Sequence, residues 1–345
     1  MKGPGAYQPL NDTWGRFDAL VKTLPENTAV LLDARVAQLH PHVRRALRQR
    51  TVVAMRAGEG AKSLSSLGRL AGALKALPRN GTLLVVGGGT LGDLGTVAAH
   101  VHKRGLKLIH APSTYLAAVD SSVGGKGALN AAGAKNVLGV FHYAEACWLC
   151  PELFTTLSPA QAREGLAEAV KMAACLGAKR FAAFEKSLEL SVSAVKSARQ
   201  CKAKVCAVDP YEQTGKRTVL NFGHTLGHVL EAASGFRLRH GEAVGLGMTC
   251  ALDVGRHAGV TPEAVAQRVE ALLKRLGFHR AALAKAMKTV SRARLQSTLA
   301  ADKKSVSAQA LRMVLLTRVG GWVVKPLARR EIEALLPAWQ QGRRP

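Results

Sequence analysis

Three groups of residues have types and spacing suited to chemistry. The first is Gly87-Gly88-Gly89-Thr90-Leu91-Gly92-Asp93, which follows the apolar run 81–86 and opens a helical pattern. It satisfies G-x-G-x-x-G in the setting where glycines let backbone N–H groups approach a pyrophosphate at a helix N-terminus. The acidic residue expected roughly 20 positions later in a dinucleotide fold is missing, although Asp33, ending an earlier strand, could hold a ribose and Asp93 lies close to the loop. A glycine turn that only packs remains the alternative. The second group is Asp120 to Lys126, with Gly124-Gly125 inside it, followed by Lys135-Asn136. Ammonium and amide donors on glycine-rich backbone suit a phosphorylated or carboxylated ligand.

The third group is Arg217, Asn221, His224 and His228, followed by His240-Gly241-Glu242. On a helix His224 and His228 stand one turn apart, and His240 is far enough on to return from a neighbouring helix. Such a cluster suits a metal ion or a phosphate. Glu168, with Lys171 one turn further along its helix, could add an oxygen, completing the His-His-carboxylate set of a catalytic zinc. The H-E-x-x-H pattern of a zinc protease is absent.

These groups need positioning elements. In the first 150 residues strands alternate with helices: 28–33, 81–86, 107–111 and 146–150 read as strands, and 63–76 and 94–103 as helices, a rhythm that implies a parallel sheet with crossover helices. From Ser158-Pro159, a cap and first-turn proline, the texture turns helical, over 159–176, about 179–200, 223–234, 240–258, 262–276 and 280–289. Only 311–317 and 322–325 look extended there. The expectation is an α/β nucleotide-binding domain over 1–157 and a mainly helical metal- and substrate-binding domain over 158–345.

Composition narrows the class. With 345 residues, 48% of them hydrophobic, the chain can build two cores, so it is not a disordered protein. The net charge of +26 invites an anionic partner. Basic residues are scattered at helical spacing with no like-charge block, which argues for a solvated basic face over a nucleic-acid surface. They concentrate in 251–345, with 18 basic against 6 acidic groups. No apolar run approaches a membrane span, residues 1–15 lack a signal-like core, and six cysteines suit a reducing cytoplasm. Cys147 and Cys150 form a C-x-x-C at a strand end, where residues three apart point to opposite faces; they read as buried small side chains.

GGGTLGD, PSTYLAAVDSSVGGK, AKN, GLAEAVK, GKRTVLNFGHTLGH, HGEAV and the late Asp302-Lys303-Lys304 stand in the order and spacing of the 3-dehydroquinate synthases, which this chain resembles from Asp33 to Leu316. The resemblance implies the two-domain fold above, tightly held NAD⁺, one Zn²⁺ (or Co²⁺) and a homodimer; with the charge pattern and apolar runs above, it argues against a nucleic-acid partner and against a membrane partner. It implies Glu168, His224 and His240 as metal ligands. It implies NAD contacts at Asp33, Glu59, Lys62, Gly88, Gly89, Asp93, Ser113, Thr114, Lys126, Lys135, Thr156 and Leu157. The implied substrate pocket comprises Asp120, Lys126, Lys135, Asn136, Lys171, Lys202, Arg217, Asn221 and His228 with one of Lys303 and Lys304, and Arg104 would reach the partner subunit's substrate. The implied reaction converts 3-deoxy-D-arabino-heptulosonate 7-phosphate to 3-dehydroquinate and phosphate in the shikimate pathway. It runs by transient oxidation, phosphate elimination, reduction, ring opening and aldol closure. Related cyclases that make 2-deoxy-scyllo-inosose or an epi-valiolone are the nearest rivals; Arg217, Asn221 and His228 together favour the dehydroquinate enzyme. A basic nucleic-acid-binding scaffold is the rival from outside the enzymes, and it would bind with steep salt dependence.

Overall fold

The strands Thr28–Asp33 and Thr82–Gly87 are buried at every position, as befits central strands of a parallel sheet covered on both faces. A computed structural model describes residues 7–288, 290–300, 305–307 and 310–345. Among these the chain forms two compact units, one from the chain up to Ala162 with Lys202–Tyr211, the other from Arg163–Cys201 and Glu212–Pro345.

In the first unit β1 (Asp12–Trp14), β2 (Thr28–Asp33), β3 (Thr51–Met55), β4 (Thr82–Gly87) and β5 (Lys107–Pro112) are followed by a hairpin of β6 (Lys126–Ala131) and β7 (Ala134–Phe141), then β8 (Ala146–Leu149). Six of them form one sheet in the order β1-β8-β5-β4-β2-β3, every pair parallel. Leu31, Leu83, Val85, Leu94, Val97 and Leu108 fill a core on one face, and Phe17, Leu20, Val30, Leu84 and Val86 another. The helix Gly89–Val101 begins one residue after β4, five residues before the expected start at 94. Its glycine-rich first turn carries no apolar periodicity to mark it. Sequence reading also passed over β1, β3 and the β6–β7 hairpin; β3 and β7 are largely exposed, so they lack a buried pattern.

The second unit is mainly helical. Helix Pro159–Leu176 is opened by a capping box, in which Ser158 Oγ accepts the Gln161 N–H at 3.3 Å and Gln161 Oε1 accepts the Ser158 N–H at 3.0 Å. Where one helix was expected over about 179–200, two occur, Ala178–Lys186 and Val192–Val208, parted by the segment Ser187–Ser191; the second helix belongs to this unit only as far as Cys201. Serines at both ends of that segment favour caps over helix interior, and Ser191 Oγ accepts the Ala194 N–H at 3.2 Å. The helices His224–Ala233 and His240–His257 lie against each other, and β9 (Ser305–Ser307), β10 (Ala310–Arg318) and β11 (Gly321–Ala328) make a small antiparallel sheet. No helix among the described residues is long and apolar enough to cross a membrane.

Close contact of those two helices depends on small residues. A Cβ on Gly247 would collide with Gly223 O and sit 2.6 Å from Gly227 N, and one on Gly227 would lie 2.9 Å from Ala243 O; Gly241 packs instead on the helix Pro159–Leu176, where a Cβ would lie 2.5 Å from Glu164 Cα. Gly247→Ala is expected to cost about 1–3 kcal/mol through overpacking, read as a fall in the urea midpoint. Gly72→Ala, whose Cβ meets nothing within 4 Å, should not lower it.

Candidate active site

Glu168 lies on the helix Pro159–Leu176 with no exposed surface. Burying an ionised carboxylate costs several kcal/mol unless cations meet it, and here a lysine and two imidazole rings face it. Lys171 Nζ stands 2.5 Å from Oε2, while His224 Nε2 and His240 Nε2 stand 3.4 and 3.6 Å from Oε1. Among the described residues neither oxygen receives an aligned hydrogen bond. Each histidine is the first residue of its helix, so the glycine contacts that join those helices also bring the two rings to a centroid separation of 5.4 Å. Among the described residues Glu168, His224 and His240 form a group able to hold a metal ion, with ligand atoms within 4.8 Å of one another. His228, Glu231 and His240 form a second group beside it.

Burial opposes a proton on His240, but Glu168 and Glu231 outweigh it and raise the imidazolium pKa to about 10. A cation must therefore displace a proton to reach His240. His228, one turn beyond His224, is exposed, with ring centroids 5.4 and 5.9 Å from His224 and His240. Arg217 and Asn221 belong to the short helical turn Lys216–Asn221 that leads into His224; Arg217 is buried and Asn221 half-buried. Lys303 and Lys304 lie outside the described residues.

The first unit gathers a second set. Gly88 caps the helix Gly89–Val101 without a side-chain bond, leaving first-turn N–H groups available to an anion. A Cβ on Gly89 would sit 3.0 Å from Ser121 Oγ, so the cradle admits backbone and little else. The Ser113 N–H donates to Gly87 O at 2.9 Å and Thr114 Oγ1 accepts the Ala117 N–H at 3.1 Å, which ties the ends of β4 and β5 together at the loop. Asp33 ends β2, accepts the Arg35 N–H at 2.9 Å, and has its pKa raised by burial. Lys62, 4% exposed, pairs with Asp93 Oδ2 at 2.6 Å and Glu59 Oε1 at 3.7 Å and donates to Asn136 Oδ1. Burial raises the Asp93 pKa even against Lys62. Lys135 Nζ lies 3.9 Å from Glu59 Oε2. Lys202 Nζ donates to Asp120 Oδ1 and to its backbone O, each at 2.8 Å, fixing Asp120 in a π-helical turn, a form frequent at functional sites. Lys126 is exposed at the start of β6. Thr156 Oγ1 meets His40 Nε2 at 3.0 Å, and Leu157 follows half-buried. Arg104 is exposed with φ 70°, next to Lys103 at φ 45°. Cys147 and Cys150 are buried thiols outside any disulfide, the latter pushed up to about 12 by burial.

Sequence reading missed Asn130, His40 and Glu231. None belongs to a chemical motif; only their hydrogen bonds to Glu59, Thr156 and His240 mark them.

The architecture is that of solved sugar cyclases. A 2-deoxy-scyllo-inosose synthase complexed with carbaglucose-6-phosphate, NAD⁺ and Co²⁺ superposes with a TM-score of 0.83 at 23% identity, covering 97% of this chain and 98% of that one. A 2-epi-5-epi-valiolone synthase from Streptomyces hygroscopicus with NAD⁺ and Zn²⁺ bound gives 0.83 at 24% identity, with 97% and 98% covered. The family models for 3-dehydroquinate synthase, N-terminal and C-terminal, match residues 52–164 and 165–305. The 3-dehydroquinate synthase of Enterococcus faecalis is 34% identical over 90% of this chain and 89% of its own length. That of Methylacidiphilum infernorum is 39% identical over 64% of this chain, a match spanning 63% of that relative. The chain belongs to the 3-dehydroquinate synthase family.

Because a cation must displace protons from this site, zinc binding is expected to release protons and to tighten as pH rises from 6 to 8. Calorimetry in two buffers of different ionisation enthalpy measures the release.

Proposed function

We propose that this chain converts 3-deoxy-D-arabino-heptulosonate 7-phosphate to 3-dehydroquinate and inorganic phosphate, a carbon–oxygen lyase step of the shikimate pathway. The observation that carries the proposal is the buried Glu168 carboxylate faced by His224, His240 and Lys171, in a chain of this family. Glu168, His224 and His240 suit a divalent cation, and the Gly88–Gly89 cradle with Asp33, Glu59, Lys62, Asp93, Ser113, Thr114, Lys126, Lys135, Thr156 and Leu157 suits a dinucleotide. When bound, NAD⁺ supplies a hydride acceptor without net consumption, and zinc or cobalt supplies a Lewis acid.

The chain's own residues bind and orient. Lys126, Lys135, Asn136, Lys171, Lys202, Arg217 and Asn221, with Lys303 or Lys304, grip a ligand bearing both carboxylate and phosphate, since ammonium, guanidinium and amide donors match those oxygens. Asp120 is held by Lys202 to receive a substrate hydroxyl. Arg104, exposed at the end of the short helical turn His102–Arg104, reaches the substrate of a second copy in a cytoplasmic homodimer. His228 holds the phosphate oxygen that takes the proton next to the ketone as phosphate leaves. On this reading residues 1–157 carry the nucleotide and 158–345 the metal.

With NAD⁺ and zinc, the heptulosonate phosphate is expected to yield phosphate and 3-dehydroquinate in equal amounts with no accumulation of NADH. No release from it, with turnover of glucose 6-phosphate or of a heptulose phosphate lacking the carboxylate, would assign the chain to another cyclase. His228→Ala is expected to slow phosphate release by about 10²-fold; an unchanged rate removes His228 from the elimination.

A further inference from the structure

The pairing of β6 with β7 breaks beside Asn130. Leu129 faces Leu138 but Ala131 faces Ala134, so Asn130 alone lies opposite Lys135, Asn136 and Val137. Such bulges re-aim side chains and leave backbone groups unpaired. Asn136 takes the left-handed conformation, φ 56°, which asparagine tolerates better than most residues.

One short amide organises this bulge. Asn130 Oδ1 accepts the Asn136 N–H at 2.9 Å, and Asn130 Nδ2 donates to Glu59 Oε1 at 2.9 Å and to Glu59 O at 3.4 Å. The Asn130 N–H itself donates to Lys62 O at 2.8 Å. Asn136 Oδ1 in turn accepts from Lys62 Nζ, which also pairs with Asp93. The ring so closed joins the 59–62 segment, the bulge and the helix Gly89–Val101. Stability alone is a weak reason for it: Asn136 is exposed, so water can satisfy its N–H, and a solvent-accessible hydrogen bond adds little net stability. What the clamp does fix is the direction of Lys62, Lys135 and Asn136.

We propose that Asn130 is a positioning residue, locking the β7 bulge onto Glu59 so that the donors of Lys62, Lys135 and Asn136 meet an anionic ligand without rearrangement. The inference rests on the functional reading above, in which Glu59 and Lys62 serve NAD⁺ and Asn136 serves the substrate. It couples the two: loosening one side chain loosens both.

The test compares wild type, Asn130→Ala and Asn130→Asp as full-length protein, measuring the NAD⁺ dissociation constant by fluorescence, KM for the heptulosonate phosphate, and cooperative unfolding. Asn130→Ala is expected to unfold within a few degrees of wild type, with the NAD⁺ dissociation constant and KM both raised about tenfold. A merely structural residue would lower the midpoint and leave both constants alone, and that result overturns the proposal. Asn130→Asp keeps the acceptor for Asn136 but turns an oxygen toward Glu59, which releases the bulge from Glu59, so the NAD⁺ constant and KM both rise. Should the alanine variant not fold, an unchanged NAD⁺ constant in the aspartate variant overturns the proposal. Wild type that neither binds NAD⁺ nor turns over sinks the functional reading, and this inference with it, before any variant is compared.

Discussion

A carboxylate without exposed surface cannot be left alone in a protein interior, and Glu168 is such a group. Its compensation is built from elements far apart in sequence. Lys171 is one turn away on the same helix, but His224 and His240 arrive on two others, each at a helix start. The close approach of the three helices at Gly247 and Gly241 is therefore part of the same constraint as the charge. A bulkier side chain at either position would move a histidine, and the cost would appear as an unmet negative charge. Glu231, with an oxygen 3.5 Å from His240 Nδ1, extends the arrangement outward. That carboxylate can hold the ring with Nε2 turned inward.

The first unit repeats the logic with the opposite sign. Lys62 is a nearly buried cation set between Asp93 and Glu59, and the carboxylate of Asp93 is kept from water by the same packing. Fixed charges of this kind need no reorganisation when a charged ligand arrives, which is what favours developing charge in a reaction. Buried charge also explains part of the basic surplus in residues 251–345. Asp253, 3% exposed, accepts from Arg256, from both terminal nitrogens of Arg280 and from Trp339 Nε1. Arg268 grips Glu185, and Arg344 grips Glu263. Arg256 and Arg280 are thus internal fastenings, whereas Arg268 and Arg344 hold their carboxylates at the surface, as a solvated basic face would.

Glycines, histidine spacing and the Ser158 cap were legible because each follows from local chemistry: a tight turn, a helical period, an orphan N–H. The central strands were legible because burial on both faces leaves an unbroken apolar run. Asn130 was not, because its role depends on a register break between two exposed strands, and no single segment encodes that. Gly127 became intelligible only in three dimensions: a Cβ there would lie 2.5 Å from Thr96 Cβ, so β6 could not rest on the helix Gly89–Val101. The helix break at Ser187–Ser191 was hidden for a similar reason, since helical propensity on both sides is high and only the serine caps separate them.

The central claim is that Glu168 is buried to hold a cation together with His224 and His240. Anomalous diffraction at the zinc edge, on crystals of the zinc-loaded protein, tests it most directly. The account predicts one peak within coordination distance of Glu168, His224 and His240. A peak on His228 and Glu231 instead, or none near Glu168 with its pair to Lys171 intact, would contradict it.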